Sequence, residues 1–218
     1  MSGRPGRGRR FDVGEALEAA LQVFWEHGYE GATLAELTKA MRIGPPSLYA
    51  AFGSKEELFF AVVDHYQATH GRSAGQIVDE EQTGRAMLVR LLLDAAVRYP
   101  AGRFPGGCMV ISSAVTVAPA HAHVRERLAQ LRRAAVSAMA EHPDVSSEAA
   151  RFVAATLQGM SQQARDGASA GDLLDIARFA TAALDARGTG PQNEDEPPRS
   201  DSGERVDRHG STSGDGGI

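Results

Sequence analysis

Three helix-start signatures crowd together near the N-terminus of this 218-residue chain. Asp12 stands three residues before Glu15, Thr33 three before Glu36, and Ser54 three before Glu57. In such a box the cap side chain accepts from the backbone N–H three residues on. The acid reaches back to the cap's own N–H. Gly28, Gly44 and Gly53 sit at the opposite ends of the same segments, where a helix needs a residue that tolerates a left-handed turn. Starts and stops this close together leave room only for short helices joined by tight turns.

Apolar spacing agrees. Val13, Leu17, Leu21 and Phe24 recur at three- and four-residue intervals with Trp25 beside them, which predicts one buried stripe. Leu34, Leu37 and Met41 make a second, shorter one. Pro45 and Pro46 suit a first helical turn, where a missing N–H costs nothing, so a third helix is expected over 45–52. Leu58, Val62, His65, Tyr66 and Thr69 follow on a fourth. The unit Thr33–Phe52 is then a short helix, a glycine turn and a second short helix, the pattern of a helix-turn-helix. On its second helix Leu48 and Phe52 share an inward face. Pro46, Ser47 and Ala50 point away, and Tyr49 lies on the flank. A slim exposed helix of this kind fits the DNA major groove.

The first ten residues carry Arg4, Arg7, Arg9 and Arg10 and no acid. They read as a flexible basic arm, either merely solvated or seeking phosphate and the minor groove. Residues 11–66 hold three Lys/Arg against nine acids. That balance suits a DNA binder only if the acids face away from the DNA and the arm carries weight. Deleting residues 2–10 is therefore expected to weaken DNA binding and flatten its salt dependence.

Here the residues resemble a family. Gly31-Ala32-Thr33, then Pro46-Ser47-Leu48-Tyr49, then Phe52-Gly53-Ser54-Lys55-Glu56-Glu57-Leu58 make the stretch Phe11–Tyr66 similar to the DNA-binding domain of TetR-type regulators. The resemblance implies an all-α fold: a three-helix helix-turn-helix head with a linking helix, then a larger helical domain for ligand binding and dimerisation. It implies that Thr33, Ser47, Tyr49 and Lys55 meet the DNA backbone and that Pro45, Pro46, Ala50 and Ala51 face bases. Many members carry aromatic or histidine residues after the Leu-Tyr pair, whereas this chain has Ala50 and Ala51. Alanine can touch a thymine methyl. Further selectivity is expected from Thr38, Arg42, the arm and DNA shape.

The remainder reads as helices over about 83–99, 108–117, 121–141, 147–166 and 171–186, with 70–82 a polar hinge. Met109-Val110-Ile111 alone has strand propensity, and no partner strand exists for it. Residues 67–187 thus form the expected effector-binding and dimerisation domain. After them, 188–218 is dominated by Gly, Pro, Ser and acids, a disordered tail by composition. The resemblance places an effector pocket among the middle helices. Met87, Leu91, Phe104, Cys108, Met109, His121, Met139, Phe152, Thr156 and Met160 are the candidate lining, each open to being plain core. His121 and His123 are either ligand contacts or exposed helix-start residues. Cys108 is either a small buried hydrophobe or a sensor thiol at a helix start.

The last two helices are rich in alanine: Ala149, Ala150, Ala154 and Ala155 with Gly159, then Ala177, Ala180, Ala182 and Ala183. Close packing of these helices within the chain, or between two copies as an isologous four-helix bundle, would each use that surface. A single cysteine excludes an intrachain disulfide. There is no zinc-ligand cluster, nucleophile–base pair or phosphate-binding glycine loop, so neither cofactor nor metal nor enzymatic activity is expected. No apolar run is long enough for a bilayer. The reading is a cytoplasmic homodimeric repressor, released from a pseudo-palindromic double-stranded operator by a small-molecule effector. Its rival is a helical small-molecule or redox-sensing protein with a degenerate DNA-binding head.

Overall fold

A computed structural model describes residues 12–102, 104–113 and 117–190. The basic arm (with Arg4, Arg7, Arg9 and Arg10) and nearly all of the C-terminal tail lie outside the described residues. Among those described there are helices and no strands. In order they are α1 (Val13–Gly31), α2 (Leu34–Met41), α3 (Pro45–Phe52), α4 (Lys55–Thr69), α5 (Arg72–Glu80), α6 (Gly84–Arg98), α7 (Met109–Ser112), a 3-10 turn (Pro119–His121), α8 (Ala122–Ala140), α9 (Ser147–Arg165) and α10 (Ala170–Arg187).

All three early caps form. Asp12, Thr33 and Ser54 each accept from the backbone three residues on, at 2.9, 3.2 and 3.0 Å. Only Thr33 makes the reciprocal box, with Glu36 reaching back to the Thr33 N–H at 2.9 Å. A fourth box, Ser169 with Asp172, opens α10.

The head is α1 to α4. Leu21, Phe24, Leu37, Leu48, Leu58, Phe59 and Val62 make its centre, and Met109, Val110, Val124 and Leu128 of α7 and α8 join the same apolar cluster. The head is therefore seated on the body. A second cluster gathers Ile77, the inner face of α6, and the apolar sides of α9 and α10.

Four sequence expectations need correction. Val13 is half exposed, so the buried stripe of α1 begins at Ala16, because the first turn of α1 overhangs the head core. The 70–82 segment holds α5 instead of a hinge, with Ile77 buried against the second cluster. The helix expected over 108–117 stops at Ser112 after one turn, since the Ser113 carbonyl turns out to accept from the Tyr29 N–H at 3.0 Å. Gly28 does break α1, but the helix resumes for a further turn. Gly28 takes φ 69° and ψ 179°, a region open essentially to glycine alone.

Candidate nucleic-acid interface and ligand cavity

The turn between α2 and α3 is built backward from its ends. Arg42 caps α2 in the left-handed conformation, φ 55°. Its N–H donates to the Lys39 carbonyl at 3.2 Å, and that of Ile43 to Thr38 at 3.1 Å. Gly44 then opens α3 with two prolines in its first turn. Leu48 is the one fully buried residue of α3 and anchors it to the head. Pro45, Pro46, Ser47, Tyr49, Ala50 and Ala51 are all exposed. The second helix thus stands out as a narrow rod with methyl groups, a hydroxyl and one phenol on its free side.

Around the rod, Thr33, Lys39 and Arg42 are exposed. Thr38 differs from expectation. Its side chain is buried, and its hydroxyl donates to the Leu34 carbonyl at 2.8 Å, so helix α2 itself satisfies it. Lys55 is half-buried, with its ammonium 4.7 Å from the centre of the Tyr29 ring. Burial lowers its pKa and nearby Glu30 works against that.

Three acids of the head, Glu30, Glu56 and Asp64, are engaged by the body, Glu18 is held within the head, and Glu36 stays at the start of α2 with Thr33. Glu30 accepts from the Ala118 N–H at 2.8 Å and meets His121 at 2.9 Å. Glu56 pairs with His123, and Asp64 lies 3.6 Å from Arg127. Glu18 receives both His65 (3.0 Å) and His70 (3.2 Å). The α8 start thus supplies basic partners to three of the head's carboxylates; His121 and His123 serve there, and neither lines the two cavities described below. Hydrogen bonding from His121, then from Ala118, holds the Glu30 carboxyl below its ordinary range.

Behind the head lies a cavity of about 810 Å³ between α4, α5, α6, α7, α8 and α9. Of the ten expected lining residues it takes Leu91, Cys108 and Met139. Met87, Met109 and Met160 are fully buried in the cores, because their helix faces point at neighbouring helices. Phe152 is exposed, and the Thr156 hydroxyl donates to its carbonyl at 2.9 Å. Phe104 lines a smaller cavity instead.

The polar wall of the large cavity was not foreseen from the sequence. Tyr66, Arg98, Tyr99 and Arg132 supply it together with Asp79, Asp94, Gln67, Gln76 and Gln158. The Tyr66 hydroxyl donates to Cys108 Sγ at 3.3 Å, and the Cys108 N–H donates to Ser161 Oγ at 2.9 Å. Burial, then the Cys108 sulfur, pushes the Tyr66 hydroxyl well up, and burial does the same to Tyr99. Burial also lowers the Arg132 guanidinium, which donates to the Val110 carbonyl at 2.7 Å. Arginines on amphipathic helices read as solvated in a sequence, and only their placement on cavity-facing turns marks these two.

The loop before Cys108 is held by glycine. Gly107 has φ 84°, and a Cβ there would stand 2.5 Å from the Ser161 carbonyl oxygen. Its N–H donates to Tyr99 at 2.7 Å. The loop can therefore lie flat on α9 and deliver Cys108 to the cavity.

Residues 16–62 match the family model described as "Bacterial regulatory proteins, tetR family". The transcriptional repressor ComR of Escherichia coli K12 is 34% identical over 79% of this chain and 88% of its own length. BdcR, another transcriptional repressor of that organism, is 33% identical over 83% and 92%. Among solved structures, the chain is similar to a cysteine mutant of the TetR family regulator CifR, complexed with 26-bp operator DNA. That likeness has a TM-score of 0.76 and 39% identity, over 81% of this chain and 99% of the other. Reduced NemR of Escherichia coli, at 17% identity and TM-score 0.58, shares the fold.

Proposed function

This chain belongs to the TetR family of bacterial regulatory proteins, and from that premise we propose that it is a dimeric transcriptional repressor which a small molecule in the large cavity releases from its operator. It works as a regulator and not an enzyme, in the cytoplasm where its DNA is. No helix among the described residues is long and apolar enough to cross a membrane.

The observation that carries the reading is the free rod of α3. A helix anchored by one leucine and exposed from Pro45 to Ala51 is shaped for the major groove. Tyr49 and Lys55 beside it supply backbone contacts, which position the protein, while the small groove-facing side chains specify. Arg4, Arg7, Arg9 and Arg10, which precede α1 in the sequence, would add phosphate contacts. Relatives named as repressors, and a similar regulator seen on operator DNA, support the direction of control.

Dimerisation is supported by what α9 and α10 leave uncovered. Phe152 and Phe179 are exposed, with Ala155, Gly159, Ala182 and Ala183. Two heads related by a two-fold axis call for half-sites about 34–36 Å apart or a multiple of that spacing. The domain division follows: arm 1–10, head 11–66, effector and dimer domain 67–187, tail 188–218.

Selecting from random duplex DNA with the purified full chain tests this reading. A pseudo-palindromic motif should emerge, and its binding should weaken steeply with salt. Enrichment of no motif would overturn it in favour of a sensor with a degenerate head.

One observation favours a covalent form of release. Cys108 opens onto the cavity under the Tyr66 hydroxyl, so an electrophile or oxidant held there meets a thiol. A Cys108→Ser protein should then stay on its operator when challenged, and full release of that variant would exclude the covalent route.

A further inference from the structure

The wall of the large cavity is aliphatic over much of its area. Ala134, Ala135 and Ala138 of α8 line it with Ala154 and Leu157 of α9. Alanine methyl groups leave open the space that larger side chains would fill. The rings on the wall are those of Tyr66 and Tyr99, and Tyr66 is buried with its hydroxyl spent on the Cys108 sulfur. The aliphatic part thus has no ring on which to stack a flat molecule, and it suits a flexible hydrocarbon body.

Arg132 stands on the same wall, on the same helix as the three alanines. It is half-buried. One of its Nη atoms donates to the Val110 carbonyl at 2.7 Å, which pins the guanidinium against α7. Among the described residues no carboxylate pairs with it. Of the two acids on the wall, Asp94 pairs with Arg98 at 3.5 Å, and Asp79 is exposed on α5. Its neighbour Arg133 is taken by Glu126. Burial works against the Arg132 charge, while the Cys108 sulfur and Arg133 pull in opposite directions. A partly desolvated cation without a counter-charge is costly, and an anion beside it removes that cost.

We propose that the large cavity takes an aliphatic monocarboxylate, with its carboxylate on Arg132 and its chain along the alanines of α8. This rests on the reading of that cavity as the effector site. The carboxylate receives the Arg132 N–H groups that Val110 does not use. A planar guanidinium matches a carboxylate in paired, charge-assisted bonds. The hydrocarbon chain gains by leaving water for the methyl-lined space. The same guanidinium holds α7, and Ser113 just after α7 is bonded to Tyr29 of the head. An occupant seated on Arg132 therefore bears on the joint between the body and the head.

Calorimetry of the full-length protein without DNA tests this, with sodium octanoate and uncharged 1-octanol as probes. Octanoate should bind saturably and about ten-fold more tightly than 1-octanol. Across hexanoate, octanoate and decanoate, affinity should rise about four-fold for each added methylene. Arg132→Gln should weaken octanoate by about ten-fold and leave 1-octanol unchanged, a selective loss that mere disturbance of α7 would not produce. Ala138→Phe, which narrows the methyl-lined space, should weaken both probes. No saturable octanoate binding, equal binding of 1-octanol, affinity indifferent to chain length, octanoate binding undiminished in Arg132→Gln, or both probes unaffected by Ala138→Phe would each overturn the proposal. Operator release is not read in this titration, so such a failure would leave the cavity open to an effector of another class. Octanoate that binds as expected yet leaves the operator complex intact in a gel shift would instead count against release through this cavity.

Discussion

Lys55 carries two loads at once. Its ammonium sits over the Tyr29 ring and, on the function proposed above, would also neutralise a DNA phosphate. A phosphate neutralised by one lysine contributes about 0.9 to the slope of log affinity against log salt. Lys55→Met should lower that slope by about 0.9 in a binding titration across salt concentrations, and an unchanged slope would remove Lys55 from the interface. Glu18 makes a different residue-scale prediction. Burial raises its carboxyl, but hydrogen bonds from His65 and His70 outweigh this and leave the pKa below 4.5. A carboxylate lowered on folding adds stability that is complete above its unfolded value and lost as pH falls through the folded one. The margin of the wild type over Glu18→Gln in thermal melts should therefore hold near neutrality and shrink below about pH 4.5. A margin that stayed constant into strong acid would contradict the assignment.

At the scale of elements, the legible parts were those set by local chemistry. Thr33 with Glu36, the double proline after Gly44 and the inward pair Leu48 and Phe52 each announce α2, α3 and their joint without help from distant residues. What the sequence hid was decided by partners far away. The α5 helix is polar but for Ile77 and Val78, and it forms because Ile77 finds the second core. The apolar run from Met109 looks long enough for several turns, yet α7 ends where Tyr29, some eighty residues earlier, claims the Ser113 carbonyl. Arg98, Arg132 and Tyr66 come to one cavity from three helices, which no spacing rule foretells. Gly28 tests how much the α1–α7 joint matters. An added Cβ would stand 3.1 Å from the Ser113 oxygen, on a backbone at φ 69°. Gly28→Ala should cost about 1–3 kcal/mol in chemical denaturation, and a neutral result would show that the joint relaxes freely.

For the whole molecule, the uncovered face of α9 and α10 decides whether two heads act together. Phe179 is 81% exposed in the single chain. Phe179→Glu would set a charge against its symmetry mate's surroundings in an isologous contact. Sedimentation should find this variant monomeric and its operator affinity lost, while its helical signal stays intact. A variant that remained a dimer would place the contact elsewhere. The joint at Tyr29 has one more consequence. A single backbone proton, the amide of Tyr29, is tied to the one-turn helix that walls the large cavity. It can trade with deuterium only when that turn lets go of the head. Its exchange rate, followed by NMR as an inducer is added, is therefore a clock for the step between filling the cavity and freeing the DNA.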